Sequence, residues 1–111
     1  MKIKQYDIWL ANLNPGKVTE PGKTRPVVII QTDLLNETHL SSIICPITTN
    51  VKTEIEILRV HLNKTQLDKP SDILVDQIRA IDNKRLINKI SRLTLVQIQK
   101  LKQNIAIVLD L

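Results

Sequence analysis

Apolar residues fall along this chain in three rhythms, and each predicts a different kind of element. Tyr6 to Leu13 alternates, Ile8 and Leu10 against Asp7, Trp9 and Ala11, which predicts a first strand. Pro26 to Thr32 holds the continuous run Val27-Val28-Ile29-Ile30, as expected of a buried strand rich in β-branched residues. Asp33 to Leu40 is polar around Leu34-Leu35 and reads as a loop with a helical turn. Ser42 to Thr48 predicts another strand, with Pro46 demoting its far end to an edge or bulge because proline cannot donate to the ladder. Glu56 to Leu62 alternates Leu58, Val60 and Leu62 against Ile57, Arg59 and His61, and Asn63 to Pro70 reads as a turn or short loop. Asp72 to Ile81 reads as one long strand, with Ile73, Val75, Gln77, Arg79 and Ile81 on one side. Asp82-Asn83 turns the chain into a short strand, Leu86 to Ile90.

The period then changes. Thr94 followed by Gln97 matches a helix capping box, and Ile98, Leu101, Ile105 and Val108 recur at helical spacing. This predicts a C-terminal helix from about Leu95 to Val108. Several strands at short intervals, one closing helix and no crossover helices imply a mainly β fold, a small antiparallel barrel with a C-terminal helix. No linker, repeat or low-complexity tract interrupts it, and residues 1–111 read as a single domain.

Composition narrows the function. The core is aliphatic, with no Phe and only Tyr6 and Trp9 as aromatics, so readers that stack bases on several exposed rings lose weight. The single cysteine, Cys45, cannot form an internal disulfide and fits a reducing cytoplasm. No apolar run reaches membrane-spanning length, so a soluble protein of the cytoplasm is expected, with no membrane partner. The net charge is +5, and Lys84, Arg85, Lys89, Arg92, Lys100 and Lys102 follow one another with no acid between them. Such a segment suits a polyanion or an acidic protein, although a solvated helix face is its commoner meaning.

The loop from Leu13 to Pro26 is the most informative stretch. It holds both glycines, Gly16 and Gly22, and three of the five prolines, which is the composition of a shaped loop. Lys17, Thr19, Glu20, Lys23, Thr24 and Arg25 crowd it with polar groups, and Arg25 is tethered to the start of the buried strand. Two more polar groups sit at strand ends: Thr48-Thr49-Asn50, and Asp76-Gln77-Ile78-Arg79. Taken singly these are ordinary strand-end side chains; three in one small barrel become neighbours. His39 and His61 lie near no Cys, Asp or Glu at metal-ligand spacing, so no metal site and no cofactor is expected. Cys45, inside an apolar strand, reads as a buried inert thiol.

These segments resemble the MazF/PemK toxins. Arg25-Pro26-Val27-Val28-Ile29-Ile30, Pro46-Ile47-Thr48 and Asp76-Gln77-Ile78-Arg79-Ala80-Ile81-Asp82 look like that family's three signatures, in the same order. Asp7-Ile8-Trp9, Asn14-Pro15 and Glu20-Pro21-Gly22 are similar to its opening. Where the family often places a glycine before the first Asp, this chain has Gln5-Tyr6. The resemblance implies a homodimeric SH3-like barrel that cleaves single-stranded RNA at short sequences without metal, as the toxin of a type II toxin–antitoxin system. It implies catalytic roles for Arg25 and Thr48, and RNA-facing positions for Thr19 and Gln77. Glu20, Lys23, Thr24, Thr49 and Arg79 join them as candidate substrate contacts. The implied partners are single-stranded RNA, a second copy of the chain and the acidic C-terminal segment of a cognate antitoxin. Two other readings stand beside this one: a gyrase-directed toxin on the same barrel, and a non-catalytic barrel that binds a protein tail.

Overall fold

The computed structural model describes residues 2–14, 24–62 and 66–111. Seven strands are found among them: β1 (Asp7–Asn12), β2 (Thr24–Ile29), β3 (Ser41–Thr48), β4 (Arg59–Leu62), β5 (Ser71–Leu74), β6 (Arg79–Asp82) and β7 (Leu86–Arg92). A one-turn helix, α1 (Asp33–Asn36), follows β2, and α2 (Leu95–Leu109) closes the chain. The sheet runs β4-β5-β3-β2-β1-β7, with β6 also paired to β3, and all of its pairings are antiparallel. The expected barrel is met in its antiparallel strands and closing helix. The sheet is not closed, since β4 and β7 stand at opposite ends of the order.

The alternation of β1 splits its side chains between two apolar layers. Ile8 joins Val28, Cys45, Ile47, Val60, Ile73 and Leu101 on one side. Trp9 and Ala11 join Val27, Ile29, Ile44 and Ile81 on the other. Helix α2 covers the first layer with Leu101, supported by Ile98, Ile105 and Val108, the residues whose spacing predicted it. Its capping box is complete: Thr94 Oγ1 accepts from Gln97 N, and the Gln97 side chain accepts from Thr94 N. Cys45 is fully buried, and burial, then the nearby Asp76 charge, push its thiol pKa up to about 12.

Three expectations need correction. Pro46 does not sit on an edge; it is buried opposite Val27 in β3, which pairs with three other strands. On its other flank β3 changes partner, from β6 (up to Ile44) to β5 (from Ile47), so the missing N–H falls in the gap between two neighbours. The long strand Asp72 to Ile81 is broken into β5 and β6. From Ile44 to Ile47 β3 advances three residues while the facing chain runs six, Ile73 to Arg79. The surplus bulges out after Val75, which stays in the core, carrying Asp76 and Gln77 into solvent. Finally, β4 starts at Arg59, because the buried Asn104 of α2 donates to the carbonyls of Glu56 (2.9 Å) and Arg59 (3.2 Å) and holds a bend there.

One backbone position stands out. Tyr6 has φ 70°, a left-handed conformation in which a non-glycine residue is strained. It occupies the slot where the resemblance expected glycine. Its N–H donates to Ile29 O at 2.6 Å and its carbonyl accepts from Leu93 N at 3.1 Å, which clamps the start of β1 between its neighbours.

Candidate active site

Strands β2 and β3 are in register from Ile29–Ile44 to Val27–Pro46. Two residues beyond that pairing come Arg25 and Thr48, and both line a cleft of about 390 Å³. Leu13, Pro46, Ile47 and Leu74 form its apolar walls, while Gln77 from the looped-out turn and Arg79 from the start of β6 complete it. The outward loop is what brings Gln77 here; an unbroken strand would have kept it in the ladder. Thr48 is half-buried, and its Oγ1 accepts the Asn50 N–H at 3.1 Å. A hydroxyl with one lone pair so engaged keeps its own proton available for another acceptor. Two guanidinium groups, a hydroxyl and a carboxamide therefore face one cavity with no carboxylate among its described lining residues. That set of donors suits an anion with several oxygens, such as a phosphodiester.

The other predicted contacts fare differently. Thr24 is exposed at the start of β2, opposite Asn12, and does not line the cleft. Thr49 borders a separate hollow with Leu10, Pro26, Leu67 and Ile90. Thr49 lies just past the end of β3 and does not line the cleft that holds Thr48. Thr19, Glu20 and Lys23, with most of the opening loop, lie outside the described residues. A further hollow of about 460 Å³ near Lys2 and Lys4 also carries Asp33 and Glu37, so its charges offset one another.

Sequence reasoning missed the group beside Thr48. Asp72 of β5 is the register partner of both Thr48 and His61. It is 0% exposed, forms an ion pair with Arg59 at 3.0 Å and meets His61 Nδ1 at 2.6 Å. Burial alone would raise its pKa; the Lys52 N–H, His61 and Arg59 outweigh this and hold the carboxyl below its ordinary value. The visible signal was an acid and a base at alternate positions within otherwise apolar strand patterns, but only the cross-strand register pairs them.

The basic stretch is not one continuous cationic face. Lys89 and Arg92 pair with the buried Asp7 at 3.4 and 3.1 Å. Arg85 donates to the carbonyls of Asn12 and Asn14, bracing the start of the opening loop. Lys100 lies 4.0 Å from Glu56. Within the described residues no three His, Cys, Asp or Glu side chains gather to hold a metal ion, and no helix is long and apolar enough to cross a membrane.

Known structures share this fold. The Mycobacterium tuberculosis toxin MazF-mt6 matches with a TM-score of 0.80 at 25% identity, over 95% of this chain and 97% of that one. A MazE–MazF structure from Deinococcus radiodurans gives 0.82 at 17% identity, over 100% and 98%. An endoribonuclease in complex with its cognate antitoxin, from a mycobacterial species, gives 0.80 at 16% identity, over 98% and 96%. At such identities the last two speak for the fold alone. The family description "PemK-like, MazF-like toxin of type II toxin-antitoxin system" matches residues 4–109, nearly the whole length. The chain thus belongs to the PemK-like, MazF-like toxins of type II toxin–antitoxin systems.

Proposed function

We propose that this toxin is an endoribonuclease that cleaves single-stranded RNA without a metal ion. The observation that carries the reading is the shared cleft of Arg25, Thr48, Gln77 and Arg79. The ribose 2′-OH attacks the adjacent phosphorus and the 5′ oxygen leaves, giving a 2′,3′-cyclic phosphate and a 5′-OH. The attacking hydroxyl loses a proton and the leaving oxygen gains one. Arg25 binds two non-bridging oxygens with its planar fork, and the Thr48 hydroxyl donates to the charge that builds on them. A preorganised donor of this kind contributes about 3–4 kcal/mol where water is excluded. Arginine keeps its proton up to about pH 12, so Arg25 acts through charge and geometry and not as a base. Gln77 and Arg79 hold the flanking nucleotides, with Thr19, Glu20, Lys23, Thr24 and Thr49 as outer contacts along the RNA.

The toxin works in the cytoplasm as a homodimer, and an acidic antitoxin segment inhibits it by occupying the RNA path. Neighbouring structures that include a cognate antitoxin support a partner of this type. The deciding experiment is incubation of labelled single-stranded RNA with the purified protein in EDTA. Cleavage with 2′,3′-cyclic phosphate ends is expected, and a 2′-deoxy substitution at the scissile position should block it. A strict Mg²⁺ requirement, or cutting of the deoxy substrate, would overturn the mechanism. Growth arrest with intact RNA would favour the gyrase-directed reading.

A further inference from the structure

Every acceptor of Asp72 is engaged, and two of its ties lead to the backbone just after Thr48. Oδ1 meets His61 Nδ1, while Oδ2 accepts from Lys52 N at 2.9 Å and Arg59 Nη1 at 3.0 Å. The same Arg59 nitrogen donates to Asn50 O at 2.7 Å. Asn50 in turn donates its N–H to Thr48 Oγ1. A chain of contacts thus runs from a wholly buried carboxylate, through one guanidinium and the backbone of Asn50, to the hydroxyl in the cleft. A buried ion pair adds little net stability over well-packed apolar side chains of similar volume. A merely structural pair would need only its own two side chains; this one holds backbone at Asn50 and Lys52, outside any strand.

We propose that Asp72 and Arg59 are positioning residues for Thr48: they fix the Asn50 N–H against Oγ1, so that the hydroxyl proton is presented to the phosphate in the cleft. The proposal rests on the reading of Thr48 as a phosphate donor given above. Without the clasp the Thr48–Lys52 turn is held only by its own local hydrogen bonds, and a donor misplaced by about 1 Å loses most of its effect on the transition state. Substrate binding is left to Arg25, Gln77 and Arg79, so the loss should appear in kcat and not in KM.

The test compares wild type, Asp72→Asn, Arg59→Met, Arg59→Lys, Thr48→Ala and the double variant Thr48→Ala/Asp72→Asn, each checked for folding by thermal unfolding. Asp72→Asn and Arg59→Met should lower kcat by about 10- to 100-fold with KM changed by less than about threefold. Arg59→Lys should recover most of the activity, because a single nitrogen makes both of Arg59's bonds. In the Thr48→Ala background, Asp72→Asn should cost less than about twofold, since the hydroxyl it positions is gone. Amide hydrogen exchange at Asn50 and Lys52 should speed up in Asp72→Asn whether or not RNA is cut. Folded Asp72→Asn with wild-type kcat, or an equal loss with and without Thr48, would overturn the proposal. Should Asp72→Asn fail to fold, equal activity of Arg59→Met and wild type would do so. A wild-type protein that cuts no RNA, yet shows the exchange effect, would instead sink the nuclease reading and leave the clasp standing.

Discussion

Replacing Arg25 separates catalysis from folding unusually well in this chain. The side chain is exposed on β2, and no hydrogen bond or ion pair ties it to any described residue, so its removal leaves no buried partner behind. A surface change of this kind alters stability by about 0.5 kcal/mol or less, a few degrees in Tm for a domain of this size. Its catalytic effect should be far larger. One preorganised donor is worth about 3–4 kcal/mol, which is 100- to 1,000-fold in rate, and Arg25→Ala removes a fork with two. Arg25→Lys keeps the charge but loses the two-point geometry, and should stay at least about 10-fold below wild type. The assay is cleavage of a doubly labelled RNA under single-turnover conditions in EDTA, run beside thermal unfolding. Wild-type turnover in Arg25→Lys would show that charge alone suffices. An activity loss in Arg25→Ala that simply tracks a collapse in Tm would remove the argument for a catalytic role.

Two further outcomes follow from the fold. At position 6 the usual order of Ala over Gly should invert: Tyr6→Gly should be more stable than Tyr6→Ala by about 1 kcal/mol in urea unfolding, because the φ of 70° penalises any Cβ. Equal stability would mean that this conformation carries no strain. The Asp72 carboxyl has its pKa lowered by folding, so its contribution is present in full above the unfolded value of about 3.9 and is lost as pH falls through the folded pKa. The stability gap between wild type and Asp72→Asn should therefore be level above about pH 5 and shrink below it. A gap unchanged down to about pH 2 would contradict the lowered pKa.

Helix α2 was readable to within a residue, because its signals are local: a capping box and one apolar stripe, each satisfied by neighbours a turn away. The run Val27 to Ile30 likewise announced burial on both faces, and Val27, Val28 and Ile29 of β2 are fully buried. The break between β5 and β6 left no such trace. Only one adjacent polar pair, Asp76-Gln77, interrupts an otherwise strand-like stretch, and only the pairing of both halves with β3 exposes the three surplus residues. For Arg25, Thr48 and Gln77 the family resemblance did what periodicity could not, bringing together positions from three separate segments. It was blind to Asp72 and Arg59, whose meaning depends on register between β3, β4 and β5. The basic stretch misled for a related reason: Asp7, far away in sequence, takes up Lys89 and Arg92.

The sealed thiol of Cys45 makes the protein its own stopwatch. With a pKa of about 12 and no solvent contact, the folded chain offers almost no thiolate at neutral pH, whereas an opened chain offers an ordinary one near 8.5. Because the chain has one cysteine, each labelling event counts a single excursion in which β3 comes away from its neighbours. The Pro46–Thr48 end of that same strand lines the cleft, so any occupant that prefers the closed sheet must slow the labelling in proportion to its affinity. The grip of an uncleavable RNA and of an antitoxin segment can then be weighed on one scale, without a single phosphodiester being cut.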